Sequence, residues 1–105
     1  MAIKTYNKLV RDGIPAIIEA TGAACETETL SEDAYLRALD DKLSEELAEY
    51  RADHSAEELA DLLEVIYACA AVRGYTAAEL EALRAEKAAR RGGFAHRIFL
   101  KTVTE

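Results

Sequence analysis

Four carboxylates, set in two pairs, are the residues of this chain whose type and spacing best suit chemistry. Glu46 stands three positions before Glu49, and Glu58 three before Asp61. On an α-helix, residues three apart differ by about 60° in angle and about 4.5 Å along the axis, so each pair faces one way. Between the pairs, RADHSAE carries a helix-stop and then a helix-start signal, which folds a second helix back antiparallel to the first. Two such ladders facing each other form a cage of hard oxygen ligands, suited to Mg²⁺ or Mn²⁺ rather than to zinc or copper.

Each pair also has a plainer explanation. Carboxylates early in a helix oppose its dipole without any function. Ser55-x-x-Glu58 is a capping box on paper, so Glu58 could spend its side chain on a backbone N–H. Asp61 lacks that reason, since Asp is a poor helix former and falls in the second turn. Two ladders on consecutive helices, each beside an apolar stripe, favour the metal cage over four coincidental surface acids.

Basic residues supply the complement. Lys87, Arg90 and Arg91 precede Gly92-Gly93, where free backbone N–H groups beside cations would cradle a phosphate. The plainer reading is that last-turn cations satisfy the helix dipole. Lys8 and Arg11 on their own read as surface charge. His54 and His96 are isolated, and without a His/Cys cluster neither reads as a zinc ligand. Tyr50 and Tyr67 read as core rather than as base-stacking platforms.

The elements that must position these groups follow from periodicity and caps. Asp12 as N-cap, Pro15 in the first turn and Gly22 after the end predict a short helix over 13–21 burying Ile14, Ile17 and Ile18. Ser31 followed by Glu32 and Asp33 starts the next, over 32–53. Its Leu36, Leu39, Leu43, Leu47 and Tyr50 form one stripe, with Lys42, Glu46, Glu49 and Asp53 on an adjoining face. Glu46 then lies at the edge of the buried stripe, and Glu45 points well away. Ser55 opens a helix over 56–73, closed by Gly74. Leu59, Leu62, Leu63 and Ile66 make one face of it, and Glu58 and Asp61 lead into a second, Val65, Cys69 and Val72, that a second copy of the chain would cover. Thr76-x-x-Glu79 is a capping box opening a helix over 77–91. Leu80 and Leu83 give that helix a core face, continued by Arg84, Lys87 and Arg91, whose partners would be the cage and a bound phosphate. CETETL and FAHRIFLKTV alternate enough to allow short strands, the latter pairing with the N-terminal segment or with 25–30.

The totals bound the partners. At 105 residues the chain makes one domain, 1–105, with a core. Half its residues are hydrophobic, and 13 basic against 20 acidic residues leave a net charge of −7. With no basic run, polymeric nucleic acid is an unfavourable partner, while a small anionic substrate fits once metal offsets the carboxylates. Two cysteines without CxxC spacing, and no signal peptide or membrane-length apolar run, imply a reduced, cytoplasmic chain away from membranes.

KLSEELAEY followed by EELADLLEVI resembles the ExxE…ExxD signature of the all-α nucleotide pyrophosphohydrolases, the group of MazG-like proteins, dimeric dUTPases and phosphoribosyl-ATP pyrophosphohydrolase. YNKLVRDGIPAII and EKAARRGGFAHRIFL look like the flanks of one compact subgroup, and together these motifs cover nearly the whole chain. Gly13 departs from the pattern, standing where an RDKIP-type motif has lysine. The resemblance implies an all-α fold of the four-helix type, assembled as a dimer or higher. It also implies Mg²⁺-dependent hydrolysis of a nucleoside triphosphate or related nucleotide to the monophosphate and pyrophosphate, with phosphoribosyl-ATP as a narrower alternative. By position, Glu46, Glu49, Glu58 and Asp61 would be metal ligands and catalytic groups. Lys87, Arg90 and Arg91 would contact phosphate, with Lys8 and Arg11 as further candidates. A different class of reading keeps the fold without turnover: a dimerising helical module that binds metal or nucleotide.

Overall fold

Local capping chemistry delimits the helices. In the computed structural model, which describes residues 2–105, the chain is all-α and of the four-helix type: α1 (Ile14–Ala20), α2 (Glu32–Asp53), α3 (Ala56–Val72) and α4 (Ala77–Arg91). Ser31 and Ser55 cap α2 and α3, their hydroxyls accepting from the N–H groups of Ala34 and Glu58. Thr76 and Glu79 close the reciprocal capping box of α4, at 3.1 and 3.2 Å. Each such cap contributes about 1 kcal/mol by satisfying N–H groups that the helix itself leaves unpaired. At the end of α3, Tyr75 donates to the Ala70 carbonyl and Gly74 to that of Ala71, with Gly74 at φ +88°. That is the Schellman arrangement, in which glycine takes the left-handed conformation at no steric cost.

The α2–α3 reversal is made by a residue less suited to it. His54 ends α2 in the left-handed conformation, at φ 57°, and its N–H bonds the Tyr50 carbonyl at 2.7 Å. Its ring meets Tyr50 edge-on with centroids 5.2 Å apart. His54 is therefore part of the turn that brings the two acidic ladders side by side.

α2 and α3 pack as an antiparallel hairpin, α4 packs on α3, and α1 packs on none of the other helices. Several expectations change here. Gly13, not Asp12, is the N-cap of α1, and it provides no side-chain bond. Ile14 and Ile18 are only half-buried, and Ile17 is 63 % exposed. Among the described residues no strand forms. Residues 25–30 are a connector, and after α4 the chain makes a turn in which Arg97, at φ 57°, bonds the Phe94 carbonyl. A strand needs an edge to pair with, and alternation by itself supplies none.

The centre of the molecule is small. Leu39 and Val65 are the buried apolar residues among those described, and Glu46 is buried with them. The α2–α3 contact is thus centred on Leu39 and Glu46 of α2 and on Val65 of α3, with Asp61 and Leu62 half-buried beside it. That rotation leaves Leu47, Leu59, Leu63 and Ile66 each more than a third exposed. The uncovered strip of α3 is consequently Leu59–Leu63–Ile66, and not the Val65–Cys69–Val72 face expected from the pattern. A cleft of about 480 Å³ continues it where α2, α3 and α4 meet, lined by Leu43, Ile66, Cys69, Ala70, Tyr75, Leu80 and Leu83, with Asp40 and Arg73. The radius of gyration is 18.5 Å, against about 13 Å for a compact chain of this length. The exposed area of 9381 Å² compares with roughly 5,800 Å² for a compact monomer of this mass.

Candidate metal centre

Because α2 and α3 run antiparallel from a tight turn, the end of one ladder lies beside the start of the other. Carboxylate oxygens of Glu46, Glu58 and Asp61 all lie within 4.8 Å of one another. An octahedral Mg²⁺ at about 2.1 Å from its ligands spaces them by roughly 3 to 4 Å, so modest side-chain adjustment closes the set on an ion. Glu49 is outside this trio, exposed at its border. Its negative charge still reaches both Glu46 and Glu58.

The oxygens are short of donors. Glu46 is 7 % exposed, and while Oε1 meets Lys42 Nζ at 3.2 Å, Oε2 is buried with no hydrogen-bond partner among the described residues. Glu58 Oε2 is likewise buried and unpartnered. Ser55 caps the Glu58 N–H, but Glu58 does not return the bond, so α3 has half a capping box and the Glu58 side chain is left for the cluster. A buried acceptor without a donor costs free energy that an ion can recover. The donor set, three carboxylates with no nitrogen or sulfur, fits a hard divalent cation.

Acidity shifts in the sense expected of such a site. Burial raises the Glu46 carboxyl above its ordinary 4.5, opposed by Lys42 and assisted by Glu49. Burial also raises Glu58, followed by the charges of Glu49, Asp61, Asp53 and Glu46. Lys42 bridges Glu46 and Glu45, the latter at 3.3 Å. Its burial favours the neutral amine, but the two carboxylates outweigh that and the net direction is up. Glu45 is lowered overall, its partial burial outweighed by hydrogen bonds from Lys42 and Lys8.

The cations are distributed differently from the expectation. Arg11 Nη2 donates to Asp61 Oδ1 at 2.7 Å, and Lys8 Nζ to Glu45 Oε1 at 3.3 Å. These residues look like surface charge in the sequence, yet they border the cage. Two of the α4 cations pair within their own helix, Arg84 with both oxygens of Glu81 and Arg90 with Glu86. Lys87 and Arg91 are exposed, as is half of Leu83, so the cationic face of α4 is not a buried face seeking the cage. Gly92 spends its N–H on the Ala88 carbonyl at 2.8 Å and is not free to cradle phosphate. A separate hollow of about 250 Å³ lies within the turn 91–98, with Arg91, Gly93, His96 and Arg97 on its wall.

Lys42 and Glu45 were missed as site residues. The signal for Lys42 was its position four before Glu46, the spacing of a helical ion pair. Glu45, far from pointing away, is held at the rim by Lys8 from 37 residues upstream, which no local pattern reveals.

No helix among the described residues is long and apolar enough to cross a membrane. No protein-family model matches the chain, and no solved structure does. A curated protein of Mycolicibacterium smegmatis (strain ATCC 700084 / mc(2)155), itself described as uncharacterized, is 56 % identical over 45 residues. That similarity takes in 43 % of this chain and spans 46 % of the mycobacterial protein, less than half of either.

Proposed function

We propose that this chain is a Mg²⁺-dependent nucleotide pyrophosphohydrolase that works as a homodimer, cleaving a nucleoside triphosphate or related nucleotide to the monophosphate and pyrophosphate. The observation that carries the reading is the convergence of Glu46, Glu58 and Asp61, from two helices, with two buried carboxylate oxygens that find no donor among the described residues. The ExxE…ExxD resemblance supplies the reaction class. Phosphoryl chemistry asks a protein mainly for positioning and charge neutralisation, which carboxylates, cations and a divalent metal provide.

Glu46, Glu58 and Asp61 would hold the metal, with Glu49 completing the set from the border. When bound, the ion supplies neutralisation of phosphate charge and makes water more acidic. The residues do the rest. Unmetallated, the four carboxylates repel a polyphosphate, and they set where its anionic groups can approach. Arg11 on Asp61 and Lys42 on Glu46 are the cations at the cage itself, with Lys8 at the rim through Glu45. One of the four carboxylates accepts the proton of the attacking water. Lys87, Arg90 and Arg91 are exposed and, among the described residues, form no ion pair with the cage carboxylates, so their contribution to phosphate binding depends on a second copy.

That same placement favours a second reading, in which the module binds metal or nucleotide without turnover. Phosphate release from a nucleotide panel, measured with added pyrophosphatase in Mg²⁺, separates the two. Turnover that Glu49→Ala abolishes, with helicity and size intact, supports the enzyme. Metal binding with no turnover on any nucleotide supports the non-catalytic module, and an unfolded Glu49→Ala chain makes that residue structural.

A further inference from the structure

Phe94, Ile98, Phe99, Leu100 and Val103 are between 67 and 96 % exposed, all within twelve residues after α4. So dense an apolar run in water marks a docking element. The same chain offers a receptor: the cleft at the meeting of α2, α3 and α4, walled by Leu43, Ile66, Cys69, Leu80 and Leu83, with Asp40 and Arg73 as its charged residues. We propose that residues 94–103 form an exchanged arm, whose apolar side chains seat in this cleft on a second copy of the chain. The inference rests on the homodimer in the reading above and names what holds it together, independently of catalysis.

Three observations select a second copy as the occupant. The arm carries Arg97 and Lys101 and no acidic residue, whereas the whole chain stands at −7, so arm and body attract. Two phenylalanines and three aliphatic side chains offer about 700 Å² of apolar surface, which the partner would cover with the cleft together with the exposed Leu59–Leu63–Ile66 strip that the cleft continues, near the roughly 800 Å² per partner of a stable interface. Both arm and receptor are present in every chain, so a two-fold pair satisfies both at once and closes. The turn at Phe94–Arg97, closed by the Arg97 N–H to the Phe94 carbonyl, gives the arm a defined departure from α4. Exposures of 67 to 96 % leave the arm's apolar side chains uncovered by its own helices.

Cys69 in the cleft provides the test. In a Cys25→Ser background, Phe99→Cys is oxidised with diamide and the disulfide-linked peptides are mapped. The expected product is a covalent dimer, twice the 11.5 kDa chain mass, joining position 99 of one copy to Cys69 of the other. A link between these positions within one chain, or none between them, overturns the proposal. Light scattering on the chain truncated after Gly93, with helicity checked by circular dichroism, is expected to show at least tenfold weaker dimerisation. A truncated chain that dimerises as well as the full chain overturns the arm and leaves the homodimer standing. A full chain that is monomeric at high concentration overturns both.

Discussion

Replacing Glu46 by glutamine should make the metal-free protein more stable and nearly abolish its stabilisation by Mg²⁺. Glu46 is 7 % exposed, with one oxygen lacking a partner and two further carboxylates within 4.8 Å. At an effective dielectric of about 20, a like charge at that distance costs roughly 3 kcal/mol before offsets. Arg11 offsets the Asp61 charge, and Lys42 at 3.2 Å offsets much of the rest. The remaining penalty shows as a Glu46 carboxyl held above its ordinary range, chiefly by burial. Glutamine keeps the shape, and Lys42 keeps Glu45 as a partner. Ligand linkage gives the second half. Mg²⁺ at a hundred times its Kd adds about 2.7 kcal/mol to the wild-type chain, and a hundredfold loss of affinity leaves about 0.4 kcal/mol. Urea unfolding at fixed protein concentration, with and without Mg²⁺, reads both quantities. The reasoning is refuted if Mg²⁺ stabilises Glu46→Gln as much as wild type. A variant that loses more than about 1 kcal/mol in metal-free buffer refutes the charge argument in particular.

Other outcomes follow from the same geometry. Glu46 and Glu58 titrate above 4.5 in the folded chain, so their ionisation costs stability as pH rises from 4.5 through their folded values. Glu45 titrates lower when folded, so its contribution is present above 4.5 and lost as pH falls through its folded value. Metal-free stability should therefore increase from pH 7 toward mildly acid pH and decline below about 4.5, and a urea series across pH that rises steadily toward pH 7 would contradict this. Leu39→Ala, at a side chain 2 % exposed, should cost about 2–5 kcal/mol in denaturant unfolding. Arg11→Ala removes the cation bonded to Asp61, and should leave calorimetric Mg²⁺ affinity unchanged or tighter while raising KM for nucleotide. Unchanged KM would remove Arg11 from the substrate site.

The helices were legible in the sequence because what starts and stops them is local. Ser31, Ser55, Thr76 and Gly74 act on backbone groups within five residues, and the three-residue carboxylate spacing reads directly as a shared face. The strands were misread because alternation is local and pairing is not. The short core was equally hidden, since leucine periodicity tells which residues form a stripe and not how much of it is covered.

The residue pattern by itself determined four helices, a hairpin reversal near 54 and two acid ladders on adjoining faces. Only tertiary structure decided how α2 and α3 rotate against each other. That rotation buries Glu46 and leaves Leu47, Leu59 and Leu63 half in water. A broad apolar stripe fits several rotations almost equally well, and the winner depends on everything packed around it. Tertiary structure likewise placed Arg11, 50 residues away in sequence, on Asp61, while Arg84 and Arg90 of α4 paired along their own helix. Helical spacing fixes neighbours within a turn or two, and no spacing rule reaches across a chain reversal.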